Sequence, residues 1–400
     1  MEPIRWQQNG LKDCKATKHL GQFDVTVANR ALQYHQSWPQ YQATPRISLP
    51  NLAAYLGVQE IWLKDESRRW GLGAFKGLGG TYGVGRYLAN YYGIGPSADF
   101  FTLKGHLHTR PPVVFATATD GNHGVGIAWA AGRLGHSAKI FMPQGTSNAR
   151  VRAIEKVGGS VEVTDLDYDA TVNWVARQAH DKGWVLVQDT SWPGYQEIPL
   201  WIMQGYLTMV AEEFLGKHDR ALDKPTHVFL QAGVGSFAAA VVAFLANLYG
   251  RDIPNIIVIE PSRAACFYRS AIISDGCLYS SDGALSTIMA GLACGVGNPV
   301  AWEILKHWVA AFVACDDVVT ARGMRILGNP LPGDPPLEAG ESGAVGLGLL
   351  SLVATDAKFS HFREDISLGP DSRVLLVNTE GAMDPGMYRR IVWDGHLAGV

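Results

Sequence analysis

From about residue 110 onward, short runs of β-branched and aliphatic residues alternate with longer stretches in which apolar residues recur at helical spacing. That alternation predicts an α/β architecture. Pro112 to Ala118 (PVVFATA), Ala138 to Pro143 (AKIFMP), Ser160 to Thr164 (SVEVT) and Trp184 to Gln188 (WVLVQ) read as buried strands, with helices expected to start near His123, Asn148 and Tyr168. A second set follows: Thr226 to Gly233 (THVFLQAG), Asn255 to Pro261 (NIIVIEP) and Ser372 to Gly381 (SRVLLVNTEG). Each ends where a loop can carry function, since ligands gather at the carboxyl ends of strands in open parallel sheets. The stretch from Asp99 to Pro112 reads as a surface loop. So does Leu327 to Gly343, whose proline and glycine density excludes a helix or a central strand. The apolar run from Ser236, SFAAAVVAFLANLYG, falls short of the ~20 residues that span a bilayer and reads as a core helix.

Composition narrows the function. At 400 residues and 47% hydrophobic, the chain can bury a large core, and its length suggests two or so compact units. Lys plus Arg total 34 against 37 Asp plus Glu, a formal charge of −3, so no global basic field attracts nucleic acid or an acidic membrane. Chemistry on small molecules is the expectation that remains. The five cysteines (Cys14, Cys266, Cys277, Cys294, Cys315) form no CxxC pair and no Cys/His cluster with zinc-ligand spacing. No metal is expected, and reduced thiols fit a cytoplasmic protein. The first residues, MEPIRWQQNGLKDCKATK, lack the apolar core of a secretory signal, which again predicts a protein kept inside the cell.

Three glycine-bearing segments and one lysine carry the candidate chemistry. In GAFKGLGGTYGVGRYL, Lys76 stands at the glycine-rich start of a helix, where the positive end of the helix dipole favours a neutral amine, the form a Schiff-base lysine needs. In ATDGNHGVG, Gly121 and Gly124 permit a tight turn and Asn122 offers an amide to a phenolate or carboxylate oxygen, although Asn-His in such a turn also serves as a plain helix cap. In FLQAGVGSFAAA, the backbone N–H groups of Gly233, Val234, Gly235, Ser236 and Phe237, with the Ser236 hydroxyl, can surround a phosphate at a helix N-terminus. The same segment matches the glycine pattern of a dinucleotide fold, with Glu260 near the place of a ribose-binding acid, but a nicotinamide reading leaves Lys76, the Asn122 turn and the strand end at Thr379 without roles. Thr379 itself, in VLLVNTEG, offers a hydroxyl to a heteroaromatic ring nitrogen.

Taken in order, IWLKDESRRWGLGAFKGLGG, ATDGNHGVGIAWAA, DTSWPGYQEIPLWIMQGYLTM, QAGVGSFAAA, MAGLACG, GESGAVG and NTEGAMDP resemble the blocks of the tryptophan-synthase-β-like (fold type II) pyridoxal-phosphate-dependent enzymes, and within them the diaminopropionate ammonia-lyases. The resemblance implies a two-domain α/β fold with open, twisted, mostly parallel sheets flanked by helices. It puts the small α/β domain at residues 85–190 and the large cofactor-binding domain at 1–84 and 191–400. It implies pyridoxal 5'-phosphate as cofactor, Lys76 as its Schiff-base lysine, Asn122 on the ring hydroxyl, residues 233 to 238 on the phosphate and Thr379 at the pyridine nitrogen. Lys64, the rival lysine, lies in an apolar strand-like run and is read as structural. A small amino-acid substrate and a homodimer are implied as well. Cys266 and Cys294 fall in or near family blocks.

Asp120 discriminates the substrate. Relatives acting on serine, threonine or cysteine resemble one another in carrying a small or hydroxyl residue there, whereas a carboxylate suits a substrate with a second ammonium group. Asp120 is also a candidate base at Cα, and Asp189, in QDTSWPGY, a candidate partner in diamine recognition. The activity implied is elimination of ammonia from 2,3-diaminopropionate to give pyruvate. A serine or threonine dehydratase is the alternative within the same fold, and a non-catalytic binding protein retaining the fold is the remoter one.

Overall fold

Among the described residues eleven strands organise the chain: β1 (Ile4–Gln8), β2 (Arg46–Ser48), β3 (Glu60–Asp65), β4 (Val114–Ala118), β5 (Ser137–Met142), β6 (Ser160–Val163), β7 (Val185–Leu186), β8 (His227–Gln231), β9 (Asn255–Pro261), β10 (Ala311–Cys315) and β11 (Arg373–Asn378). The computed structural model describes residues 2–216, 224–281, 283 and 285–399. Packing divides the chain into two units, one of residues 1–21, 44–68 and 216–400, the other of residues 22–43 and 69–215.

The first unit holds a seven-stranded sheet in the order β1-β10-β9-β8-β11-β3-β2. Its five central strands run parallel, and the antiparallel β1 and β2 close the two edges. Parallel strands covered by helices on both faces must be apolar throughout rather than alternating. β8 and β10 obey this with every residue buried, and β9 and β11 with every residue but the first. The helices Ser236–Tyr249 and Glu341–Thr355 are buried over most of their length, as the unbroken apolar run from Ser236 requires.

The second unit holds the parallel sheet β6-β5-β4-β7, with helices Asn122–Arg133, Asn148–Lys156 and Tyr168–Lys182 as its crossovers. Two details differ from expectation. Residues 99–112 are not a loop throughout, because Phe100–Leu107 is a helix. Asp99 caps it by accepting from the Thr102 N–H at 2.7 Å, and Phe100, Leu103 and Leu107 bury a stripe that Gly105 and the following prolines disguise. Strand pairing in WVLVQ is also confined to β7, since the Gln188 N–H leaves the sheet to donate to the Tyr195 hydroxyl at 2.8 Å. In the same unit Arg69 and Glu212 form a bidentate, fully buried ion pair with both contacts at 2.8 Å. Removing one partner of such a pair typically costs about 3–5 kcal/mol.

Candidate active site

Lys76 is the first residue of the helix Lys76–Tyr91. Glycines place this helix. A methyl group on Gly80 would come within 2.8 Å of the Gly126 carbonyl carbon, and one on Gly126 within 2.9 Å of the Lys76 carbonyl oxygen. The helices starting at Lys76 and Asn122 therefore cross with backbone against backbone, which links the lysine to the Asn122 turn. Behind this helix stands His35. Its Nε2–H donates to the Leu78 carbonyl at 3.1 Å and lies 2.9 Å from the Thr81 hydroxyl, while its Nδ1 accepts from the Thr208 hydroxyl at 2.5 Å. Burial pushes the His35 pKa down to about 3, so the ring is a neutral strut for the first turn of the lysine's helix.

The Lys76 ammonium is nearly enclosed, with 14% of the side chain exposed, and lies 2.9 Å from the carboxylate of the buried Asp189. Burial alone would raise the Asp189 pKa. The Lys76 charge and hydrogen bond, together with His123, overcome it and hold the carboxyl below the usual range. Desolvation pushes the His123 pKa down against the pull of Asp189, and the ring's Nε2–H donates to the Val187 carbonyl at 2.7 Å. Asp120, which also acts on His123, meets a cation that sequence reasoning did not find. Arg150 Nη1 lies 3.4 Å from the Asp120 carboxylate and donates to the Asp120 carbonyl at 3.1 Å. Thus Lys76, Asp120, Asn122, His123, Arg150 and Asp189 all belong to the second unit.

The remaining candidates belong to the first unit. At the end of β8 the chain turns through Gly235, whose φ of 86° is left-handed and whose missing side chain leaves room for the Phe267 ring. The helix then begins at Ser236, with Gly235 in the cap position. Asn298 holds this turn twice, donating from its backbone N–H to the Val234 carbonyl at 2.8 Å and from Nδ2 to Ser236 Oγ at 2.9 Å. Just past β11, Thr379 Oγ1 accepts from Gln231 Nε2 at 2.9 Å.

Lys64 is buried within β3, where its ammonium donates to the Thr44 carbonyl at 2.6 Å, in keeping with a structural role. Glu260 serves as a helix cap, its carboxyl oxygens accepting from the N–H groups of Phe267 at 3.0 Å and Tyr268 at 2.7 Å, which occupies the acid that a dinucleotide reading needs. All five cysteines are free thiols. Among the described residues no group of side chains is suited to hold a metal, and no helix is long and apolar enough to cross a membrane. Arg150, Gln231 and Asn298 escaped sequence reasoning because each acts across 30 or more residues of chain.

A family model described as pyridoxal-phosphate-dependent enzyme matches residues 38–380. The diaminopropionate ammonia-lyase of Salmonella typhimurium is 44% identical over an alignment covering 99% of this chain and 100% of that protein. The crystal structure of Escherichia coli diaminopropionate ammonia-lyase in complex with an aminoacrylate–PLP azomethine reaction intermediate superposes with a TM-score of 0.90 at 42% identity, covering 98% of each chain. The same enzyme in complex with D-serine gives a TM-score of 0.92 at 42% identity, covering 99% of this chain and 98% of that one.

Proposed function

The chain belongs to the pyridoxal-phosphate-dependent enzymes, and from that premise we propose that it eliminates ammonia from 2,3-diaminopropionate, giving pyruvate and a second ammonia. One observation carries the residue assignment: the enclosed Lys76 amine lies 2.9 Å from the Asp189 carboxylate, in a unit that supplies a second carboxylate, Asp120, for a substrate with two ammonium groups.

The donor set suits the cofactor. A phosphate needs backbone N–H groups and a hydroxyl at a helix start, which the turn from Gly233 to Phe237 and the Ser236 hydroxyl provide. An aldehyde needs an amine shielded from solvent, which Lys76 provides, and the ring needs neutral polar partners, for which Asn122 and Thr379 serve. When bound, pyridoxal phosphate supplies the electron sink that makes the substrate Cα–H acidic.

Lys76 holds the cofactor through its ε-amine and, once displaced by the substrate's α-amine, takes the Cα proton on its own face. Asp189 keeps Nζ aimed and shares in binding the diamine. Asp120 pairs with the substrate's second ammonium and takes the Cα proton of the enantiomer that presents it on the opposite face. Arg150 holds that carboxylate in place until the substrate arrives. The β-nitrogen departs as NH3 with the electrons of its C–N bond, so its leaving requires no further acid. Hydrolysis of the released aminoacrylate gives pyruvate and the second ammonia.

In this reading residues 85–190 form the small domain and 1–84 with 191–400 the large one, and β4 to β7 all fall inside the former. A homodimer in the cytoplasm completes the reading, and sedimentation tests the dimer. Pyruvate release from both enantiomers of diaminopropionate, from serine and from threonine tests the substrate. Asp120→Asn is expected to cut diaminopropionate turnover about a hundredfold while changing serine turnover far less. Equal losses on both substrates would remove Asp120 from diamine recognition.

A further inference from the structure

Gln231 ends β8 with a buried carboxamide, 2% exposed, whose Nε2 has three oxygen neighbours: the carbonyls of Ser342 and Val377, each at 3.0 Å, and Thr379 Oγ1 at 2.9 Å. The two carbonyls decide which way the amide points. Turned over, it would set its own oxygen against both of them with no proton to share. An amide nitrogen donates and does not accept. Thr379 therefore cannot give its proton to Gln231; it shares the two N–H protons with the two carbonyls, and its own O–H is left to donate elsewhere. The arrangement is kept although Gln231 Oε1 is buried without a hydrogen-bond partner.

We infer that Gln231 is a positioning residue that commits the Thr379 hydroxyl to act as a donor, so that the group facing Thr379 must be an acceptor carrying no proton. This rests on the reading that Thr379 faces the cofactor's pyridine nitrogen. It adds the residue that decides the direction of that hydrogen bond and so the protonation state of the ring. The ring nitrogen then stays unprotonated because of a carboxamide on a neighbouring strand that acts through Thr379.

The test uses holoenzyme loaded with pyridoxal phosphate labelled with 15N in the ring and follows the nitrogen by NMR. In the unaltered protein the shift is expected to be that of an unprotonated, hydrogen-bonded pyridine at every pH where the protein is folded; a protonated ring would overturn the inference without any variant. Gln231→Met removes the N–H that Thr379 accepts from. The hydroxyl is then no longer committed to one direction, and the ring signal moves toward that of Thr379→Val. In the double variant no further movement beyond Thr379→Val is expected. If Gln231→Met leaves the ring signal unchanged while Thr379→Val moves it, Gln231 has no directing role. Should Thr379→Val itself move nothing, the placing of Thr379 at the ring nitrogen fails, and the inference with it.

Discussion

The two sets of candidate residues are built from different interactions. In the second unit, charge meets charge: Lys76 with Asp189 and Arg150 with Asp120. In the first unit, neutral amides donate to neutral hydroxyls, Asn298 to Ser236 and Gln231 to Thr379. In the proposed function the difference follows from what each set would handle. A proton would change hands at Lys76 and the acidic residues, and groups that gain and lose protons are tuned by neighbouring charge. A phosphate and a ring nitrogen would be held unchanged through the cycle, and neutral hydrogen bonds hold such groups without titrating. Buried charge is also paired where no proposed step uses it, at Arg69 and Glu212.

The contrast can be broken most forcefully at Lys76. Lys76→Ala is expected to lower turnover at least about a thousandfold, and borohydride should no longer fix the cofactor to the chain. Fixation that persists on Lys64 would transfer the role there. A smaller effect is expected from the neutral set. Ser236→Ala removes one hydrogen bond to a charged phosphate, a loss of about 1.5–3 kcal/mol, so cofactor affinity should fall roughly ten- to a hundredfold. Equilibrium dialysis reads this directly, and unchanged affinity would detach Ser236 from the phosphate. The smallest effect separates the two sets by pH. In protein freed of cofactor, the Asp189 carboxyl has a folded-state pKa below its unfolded value, held there by Lys76 and His123 against the desolvation that opposes them. Its contribution to stability is present above about pH 4 and is lost as the pH falls through the lower folded value. Asp189→Asn should flatten that acid limb in urea unfolding, whereas Ser236→Ala should leave its slope as it was. A limb equally steep in both variants would mean that Asp189 does not carry it.

Much of this arrangement was legible in the chain, for physical reasons that differ from residue to residue. Strands β8, β9 and β11 show as unbroken apolar runs because helices cover both faces, and the helix starts at Asn122, Asn148 and Tyr168 lie within a residue of the positions read from spacing. Lys76, Asn122, Ser236 and Thr379 announce themselves because each stands beside a glycine turn or a strand end, where local chemistry is the signal. The helix Phe100–Leu107 was hidden by glycine and proline neighbours that suggest a loop, although Asp99 and the spacing of Phe100, Leu103 and Leu107 carried the opposite message. Arg150, Gln231 and Asn298 were illegible in another sense. An arginine, a glutamine and an asparagine at those positions look like ordinary polar residues until folding brings Asp120, Thr379 and Ser236 beside them.

The crossing at Gly80 and Gly126 has a thermal consequence. Side chains between two helices hop among rotamers as temperature rises, and that motion blurs the distance they are meant to keep. At Gly80 and Gly126 the two backbones meet with no side chain between them that can hop, so the spacing of Lys76 from the Asn122 turn is not expected to soften gradually on warming. It holds until the helices themselves part, and heat inactivation of this half should coincide with unfolding rather than precede it.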